Sequence, residues 1–216
     1  MSSSDRPFRF YDNRQKYPSF VTTTDEKWRV AERASRELPR LQPEPPALRL
    51  FDAGVGDGTV LAHLMRAMHA THPTKPFYVV GKEISLEDVR LTLDKLPDRF
   101  IEHPQLVTVI TNLHYAEAPS LLPNTAEKQE KMVMHYCELD GASSQGFGEQ
   151  LRDLDDFLTE HWEVRPSEAS GNPLYVTPTA LVIYRKDQRF PLDAVIPRID
   201  EPVADYDLIL ASQPWR

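Results

Sequence analysis

The stretch of the chain whose residue types could do chemistry is Leu50-Phe-Asp-Ala-Gly-Val-Gly-Asp-Gly-Thr-Val-Leu61, in which Gly54, Gly56 and Gly58 alternate with other residues. Positions without a Cβ allow a tight turn and let a ligand touch main chain. Asp52 precedes the glycines and Asp57 lies among them. Glu83, 25 residues beyond Gly58, follows a second apolar run, where a carboxylate is placed to accept hydrogen bonds from ribose hydroxyls. A tight turn without a ligand would use the glycines but would need neither Asp52 nor Glu83. Turn and acid together point to a nucleotide-like ligand.

Spacing and charge then separate the ligands. A dinucleotide fingerprint places glycine at its first, third and sixth positions. Counted from Gly54, the sixth position is Thr59, and the glycines fall at the first, third and fifth. A pyrophosphate on this turn would sit near the Asp57 carboxylate with Asp52 close by, which is electrostatically unfavourable. S-adenosylmethionine has no phosphate; it carries a sulfonium and an amino group, both favoured by nearby carboxylates. The turn therefore predicts S-adenosylmethionine as cofactor rather than NAD.

Such a turn needs a strand before it and a helix after it. The run 48–52 reads as a buried strand leading into the glycines, and Val60, Leu61, Leu64, Met65 and Met68 give one apolar helical face behind them. Phe77-Tyr-Val-Val-Gly81 predicts a second strand, and Ser85 caps a helix with Asp88 three residues on. Strands are predicted over 106–111 and 131–137, and one helix over about 148–162. Alternating strands and helices imply βαβ units and a mostly parallel, doubly wound sheet covered on both faces. Farther on, 174–176, 180–184 and 206–211 are strand-like with no helix-length segment between them, which predicts antiparallel additions at the sheet edge. Ahead of the sheet, the capping pattern Thr23-Thr-Asp-Glu26 opens a helix with Trp28, Ala31, Ser35 and Leu38 at helical spacing, closed by Pro39. Residues 1–20 read as an extended aromatic arm.

DAGVGDG, preceded by LRLF and followed by VVGKEIS, resembles the first two motifs of class I S-adenosylmethionine-dependent methyltransferases. The resemblance spans 48–165 in element order, and its specific part is 50–61 and 79–85. It implies a Rossmann-like, seven-stranded sheet ending in an antiparallel hairpin. It further implies that Asp52 orients the methionine amino group, that Gly54, Gly56, Asp57 and Gly58 line the cofactor, and that Glu83, with Ile84 beside it, binds the ribose. Asn112 and Leu113, after the third strand, fall where adenine is contacted, and Cys137 to Leu139 fall where the transferred methyl is faced. Members that methylate amino groups of nucleobases or glutamine carry Asn/Asp-Pro-Pro-aromatic after the fourth strand. Here that place reads Cys137-Glu-Leu-Asp-Gly141, which argues against base methylation. The echo Ser212-Gln-Pro-Trp215 reads as an edge-strand terminus. The turn also resembles that of aminopropyltransferases of the spermidine-synthase type, which bind decarboxylated S-adenosylmethionine and pair the turn with acids after the fourth strand; Glu138 and Asp140 are acids there.

Methyl transfer from a sulfonium is an in-line displacement with a good leaving group, so positioning in a dry cavity is the main requirement and a general base is optional. His114, Glu138 and Asp140 are candidates for that base, since each follows a strand expected to end at the site; each alone reads better as a loop residue or a satisfied partner. Tyr11, Tyr17 and Phe20 are candidates for a lid over the substrate. His69 and His72 share a helical face with no third ligand nearby, and read as solvated helix-end residues rather than a metal site. Cys137 reads as a small core residue.

The whole chain fits this reading. It has 216 residues, enough for one domain: an arm and helix over 1–47 and a core over 48–216. Net charge is −8, with no long Lys/Arg run, which argues against a broad nucleic-acid surface and favours a small-molecule acceptor. One cysteine excludes an intrachain disulfide and a cysteine-rich zinc site, as expected in a reducing cytoplasm. Neither a leader-like nor a membrane-spanning apolar run is present. The function predicted is methyl transfer to a small molecule; a catalytically silent cofactor-binding scaffold is the alternative outside enzymes.

Overall fold

The computed structural model describes residues 25–168, 171–199, 201–202 and 204–212. Helix α1 (Glu26–Ser35) opens the described chain, with Asp25 at its N-cap making no side-chain cap bond. The expected partner Thr23, like the aromatic arm with Tyr11, Tyr17 and Phe20, lies outside the described residues. Ala31 and Leu38 are buried as the helical spacing predicts, but Trp28 is 57% exposed.

Three parallel strands follow: β1 (Leu48–Asp52), β2 (Phe77–Lys82) and β3 (Leu106–Thr111). In register, Asp52 lies level with Gly81 and Lys82 with Thr111, so all three end on one rim. Their nearly continuous aliphatic runs suit strands buried on both faces. Helix α2 (Thr59–Thr71) crosses from β1 to β2, burying Leu61, Leu64, Met65 and Met68. Helices α3 (Leu86–Leu93) and α4 (Pro97–Glu102) cross from β2 to β3. The Ser85 hydroxyl accepts the Asp88 N–H at 3.3 Å, the predicted cap.

Beyond β3 the structure departs from the expected order. After a short helix α5 (Ala126–Glu130), β4 (Val133–Leu139) is followed by α6 (Ser144–Arg152) and α7 (Asp155–His161), a small hairpin of β5 (Val164–Pro166) and β6 (Pro173–Tyr175), and then β7 (Thr179–Arg185). Strand β7 pairs antiparallel with β3, and β4 pairs parallel with β7 outside it. Thus β4, α6, α7 and β7 form a crossover unit of their own, inverted relative to β1–β3. A parallel pair needs such a long crossover, and the helical segment 144–161 supplies it. Where one helix was expected over 148–162 there are two. The first starts earlier because Ser143 caps the Gly146 N–H at 3.1 Å; the second carries Asp155 and Asp156 in its first turn, which favours a new N-terminus there.

The last strand, β8 (Leu208–Leu210), pairs parallel with β1, Leu50 level with Leu208 and Asp52 with Leu210. Among the described residues the sheet order is β4-β7-β3-β2-β1-β8: six strands rather than seven, four of its five pairings parallel. The expectation that all late strands add antiparallel at an edge is corrected. Strand β7 is internal, β8 is parallel, and only β5–β6 is a separate hairpin. The two faces also differ. Helices α2, α3, α4, α6 and α7 pack on one face. The other is covered by Leu113, Ala118, Leu121, Leu192 and Val195 from connecting segments and by Tyr175 of β6. Among the described residues, helices therefore wind one face rather than both. No helix among them is long and apolar enough to cross a membrane.

Candidate functional site

The glycine turn sits at the rim formed by the ends of β1, β2 and β3. Gly56 and Gly58 have φ of +55° and +77°, the left-handed region where a side chain is strained. A Cβ on Gly58 would also meet Thr92 Cα at 2.8 Å. Gly81, a glycine whose need the sequence pattern did not reveal, lets Val55 pack against β2; its Cβ would lie 2.4 Å from Val55 Cγ2.

Asp52 and Glu83 converge on this turn from neighbouring strands. Asp52 is 1% exposed and its Oδ1 accepts the Gly54 N–H at 3.0 Å. Burial, with the nearby Glu83 charge adding to it, pushes the Asp52 carboxyl up to about 7 against the lowering effect of the Gly54 bond. Glu83 reaches across the turn: Oε2 accepts the Gly56 N–H at 2.8 Å, and Oε1 accepts the N–H groups of Ile84 and Ser85, both at 2.9 Å. Trp162, buried at the end of α7, donates its indole N–H to the Glu83 carbonyl at 3.0 Å. Two acids thus share a rim with donors of the turn, and among the described residues the charges that perturb Asp52 include no cation. Such a pair attracts cationic and hydroxyl-bearing groups and disfavours phosphate.

Asp57 has a different place from the one its sequence position suggests. Its Oδ1 accepts the Thr59 N–H at 3.1 Å and its Oδ2 the Thr59 hydroxyl at 3.0 Å, closing a local turn over Gly58 at the start of α2. Its Oδ1 also pairs with Lys27 Nζ of α1 at 2.8 Å. Burial raises its pKa, but the Lys27 and Thr59 bonds outweigh that and hold it below the usual carboxylate range. The carboxylate is neutralised and turned to the helix, so the charge argument against pyrophosphate passes from Asp57 to Asp52 and Glu83.

Asn112, expected at adenine, is fully buried. Its amide donates to His161 O at 3.1 Å and Thr177 O at 2.9 Å, and accepts the Thr179 N–H at 2.8 Å. With donors and acceptor engaged, it ties the roots of the β5–β6 hairpin to β3 and has nothing left for a base. Leu113 is likewise buried, in the loop-covered core. Ile84 is half-buried beside Glu83.

His114 is exposed on the loop after β3, at the same rim. That loop is organised by Glu117, which sequence reasoning missed. Its buried carboxylate accepts the Tyr175 hydroxyl at 2.8 Å and the N–H groups of His114 and Asn124 at 3.1 and 3.0 Å. Glu138 and Asp140 lie at the other end of the sheet, because β4 runs opposite to β1–β3; Leu139 is level with Arg185, far from Thr179 and the rim. Glu138 accepts the Tyr184 hydroxyl at 2.8 Å and pairs with Arg189 at 3.0 Å, and Asp140 pairs with Lys186 at 2.9 Å. Cys137 is on that strand too, its thiol pushed by burial up to about 11. None of the three is brought to the glycine turn.

The histidines at the end of α2 are not simply solvated. The His103 Nε2–H donates to Lys75 O at 2.9 Å, so His103 Nδ1 accepts from His69 Nδ1–H at 3.0 Å. His103 is buried against Phe77, ring centroids 3.7 Å apart, and burial pushes its pKa down to about 4. His72 Nε2 bonds Leu38 O at 3.0 Å. Among the described residues no cluster of His, Cys, Asp and Glu could hold a metal ion.

A hollow of about 670 Å³ lies between α1 and β8, lined by Val30, Ala34, Leu208, Ile209 and Leu210 with arginine and glutamate at its rim. A second, of about 310 Å³, lies behind the turn between α2 and the α3–α4 connection. Neither is lined by Asp52 or Glu83. Compared with protein-family models, curated proteins and solved structures, the chain matches none.

Proposed function

We propose that the chain binds S-adenosylmethionine at the glycine turn and acts as a methyltransferase. The observation that carries this reading is the convergence of Asp52 and Glu83 around Gly54–Gly58 at the ends of parallel strands, where α/β sheets receive ligands. In this reading Asp52 meets the methionine amino group and Glu83 the ribose, with the open backbone at Gly56 lying against the ligand. Adenine lies against main chain rather than Asn112. Calorimetry with S-adenosylmethionine, its decarboxylated form and NAD tests it. The first is expected to bind and NAD not to. Glu83→Ala removes the ribose acceptor and Gly56→Val forces a β-branched residue to φ +55°, and each is expected to abolish binding. No binding of S-adenosylmethionine by the wild type sinks the reading.

One observation favours a second reading of the acceptor. The strand lying parallel beside β1 is β8, not β4, and it is followed by Ser212-Gln-Pro-Trp215. In the resembled family an Asn/Asp-Pro-Pro-aromatic segment serves amino-group acceptors, and this segment keeps its third and fourth residues while carrying Ser and Gln at the first two. An amino-nitrogen acceptor follows, with the net charge of −8 favouring a small molecule or an amide side chain over a polynucleotide. Labelled methyl transfer to small amines, a glutamine peptide, nucleosides and DNA separates these. The aminopropyltransferase reading loses its acid pair, since Glu138 and Asp140 sit at the opposite end of the sheet.

A further inference from the structure

The glycine turn is clamped from its outer side by side chains of two other elements. From the α3 side, the Thr92 hydroxyl donates to Gly56 O at 3.0 Å and Lys95 Nζ to Asp57 O at 2.6 Å. From α1, Lys27 Nζ pairs with the Asp57 carboxylate at 2.8 Å. Lys27 and Asp57 side chains are 25% and 14% exposed, so water screens the pair only partly. Lys27 lies in the first turn of α1, and its neighbour Trp28 rests edge-on against His63 of α2, centroids 4.7 Å apart. The start of α1 is thereby fastened to the turn and to the helix that leaves it.

We propose that Lys27 is a positioning residue for the ligand turn: by holding the Asp57 carboxylate outward, it keeps the left-handed backbone at Gly56 and Gly58 in the shape that seats Glu83 on the Gly56 N–H and so sets that acid for the ligand. Lys27 touches no ligand itself. It makes α1 part of the binding site, so that ligand affinity depends on whether this helix is seated. The inference rests on the S-adenosyl ligand reading above, and its test is arranged so that the two fail separately.

Two effects of losing Lys27 have opposite signs. Removing a cation leaves extra negative charge near the turn, which tightens a net-positive ligand; loosening the turn weakens any ligand. S-adenosylhomocysteine, which carries no net charge, reports the second effect alone. Its dissociation constant is expected to rise about fivefold in Lys27→Met, the upper end for a partly exposed ion pair, and to stay near wild type in Lys27→Arg. The double variant Lys27→Met/Asp57→Asn is expected to bind no more weakly than the weaker single variant, because the two residues act as one contact. Unchanged S-adenosylhomocysteine affinity in Lys27→Met overturns the proposal, as does additivity of the two substitutions. If the wild type binds no S-adenosyl ligand, the functional reading fails. The clamp is then read from amide exchange of Gly56, Asp57, Gly58 and Thr59 in ligand-free protein: faster exchange in Lys27→Met supports it, and unchanged exchange overturns it.

Discussion

Asp52 is held at 1% exposure with a carboxyl pKa of about 7, so it carries a proton over much of the range where free carboxyls do not. Its ordinary value is 3.8. A raised acid pKa means the native state holds the proton more tightly than the unfolded chain. The resulting stability is fully present below about 4 and is lost as pH rises through about 7. Thermal melts of ligand-free protein are therefore expected to fall between pH 4 and pH 8, and Asp52→Asn, which keeps an acceptor for the Gly54 N–H, is expected to flatten that slope. An unaltered slope in the variant would remove Asp52 as its source. The same proton opposes cation binding, so affinity for S-adenosylmethionine in calorimetry is expected to weaken as pH drops below about 7. Both expectations concern one side chain, and neither needs the rest of the fold to move.

At the scale of elements, the turn depends on close packing that local pattern does not display. Gly81 lies within β2, where a glycine is intrinsically costly. Its reason is Val55, which occupies the space a side chain would fill. Gly81→Ala is expected to cost about 1–3 kcal/mol through overpacking, measured by urea unfolding, and Val55→Ala in the same chain is expected to recover much of it. Failure of that rescue would place the strain elsewhere. Asn112 shows the same lesson with polar groups. Its position after β3 suggested a ligand contact, whereas the tertiary partners His161, Thr177 and Thr179 engage it fully. Those partners lie 49 to 67 residues away in the chain, and no local pattern reveals them.

For the whole molecule, β8 is the weakest member of the sheet. It is three residues long, pairs with β1, and leaves Ile209 61% exposed. Amide exchange at Leu208–Leu210 is expected to proceed by local opening, much faster than at Val79 and Val80 of β2, which lie between two strands and exchange through global unfolding. Equal protection would show that β8 belongs to the core cooperative unit. Yet β8 carries the stretch that leads to Ser212, so the least anchored strand borders the acceptor side of the proposed site.

Strands 1 to 3, helices α2 and α3, the Ser85 cap and the glycine turn were legible in the sequence because each is written in local terms: apolar period, cap residue, absence of a Cβ. Asp52 and Glu83 were legible because a strand end fixes where its last residue stands. The direction of β4, the parallel seating of β8 beside β1, the outward turn of Asp57 and the burial of Asn112 were decided only by tertiary structure. An apolar run of five residues pairs equally well in either direction and beside any neighbour, since main-chain groups and side-chain period are the same both ways. What selects among the arrangements is the summed burial and hydrogen bonding of residues distant in the chain. Local sequence therefore determined that a glycine turn exists and which acids converge on it, while long-range packing determined which strand stands beside it and which charges are paired.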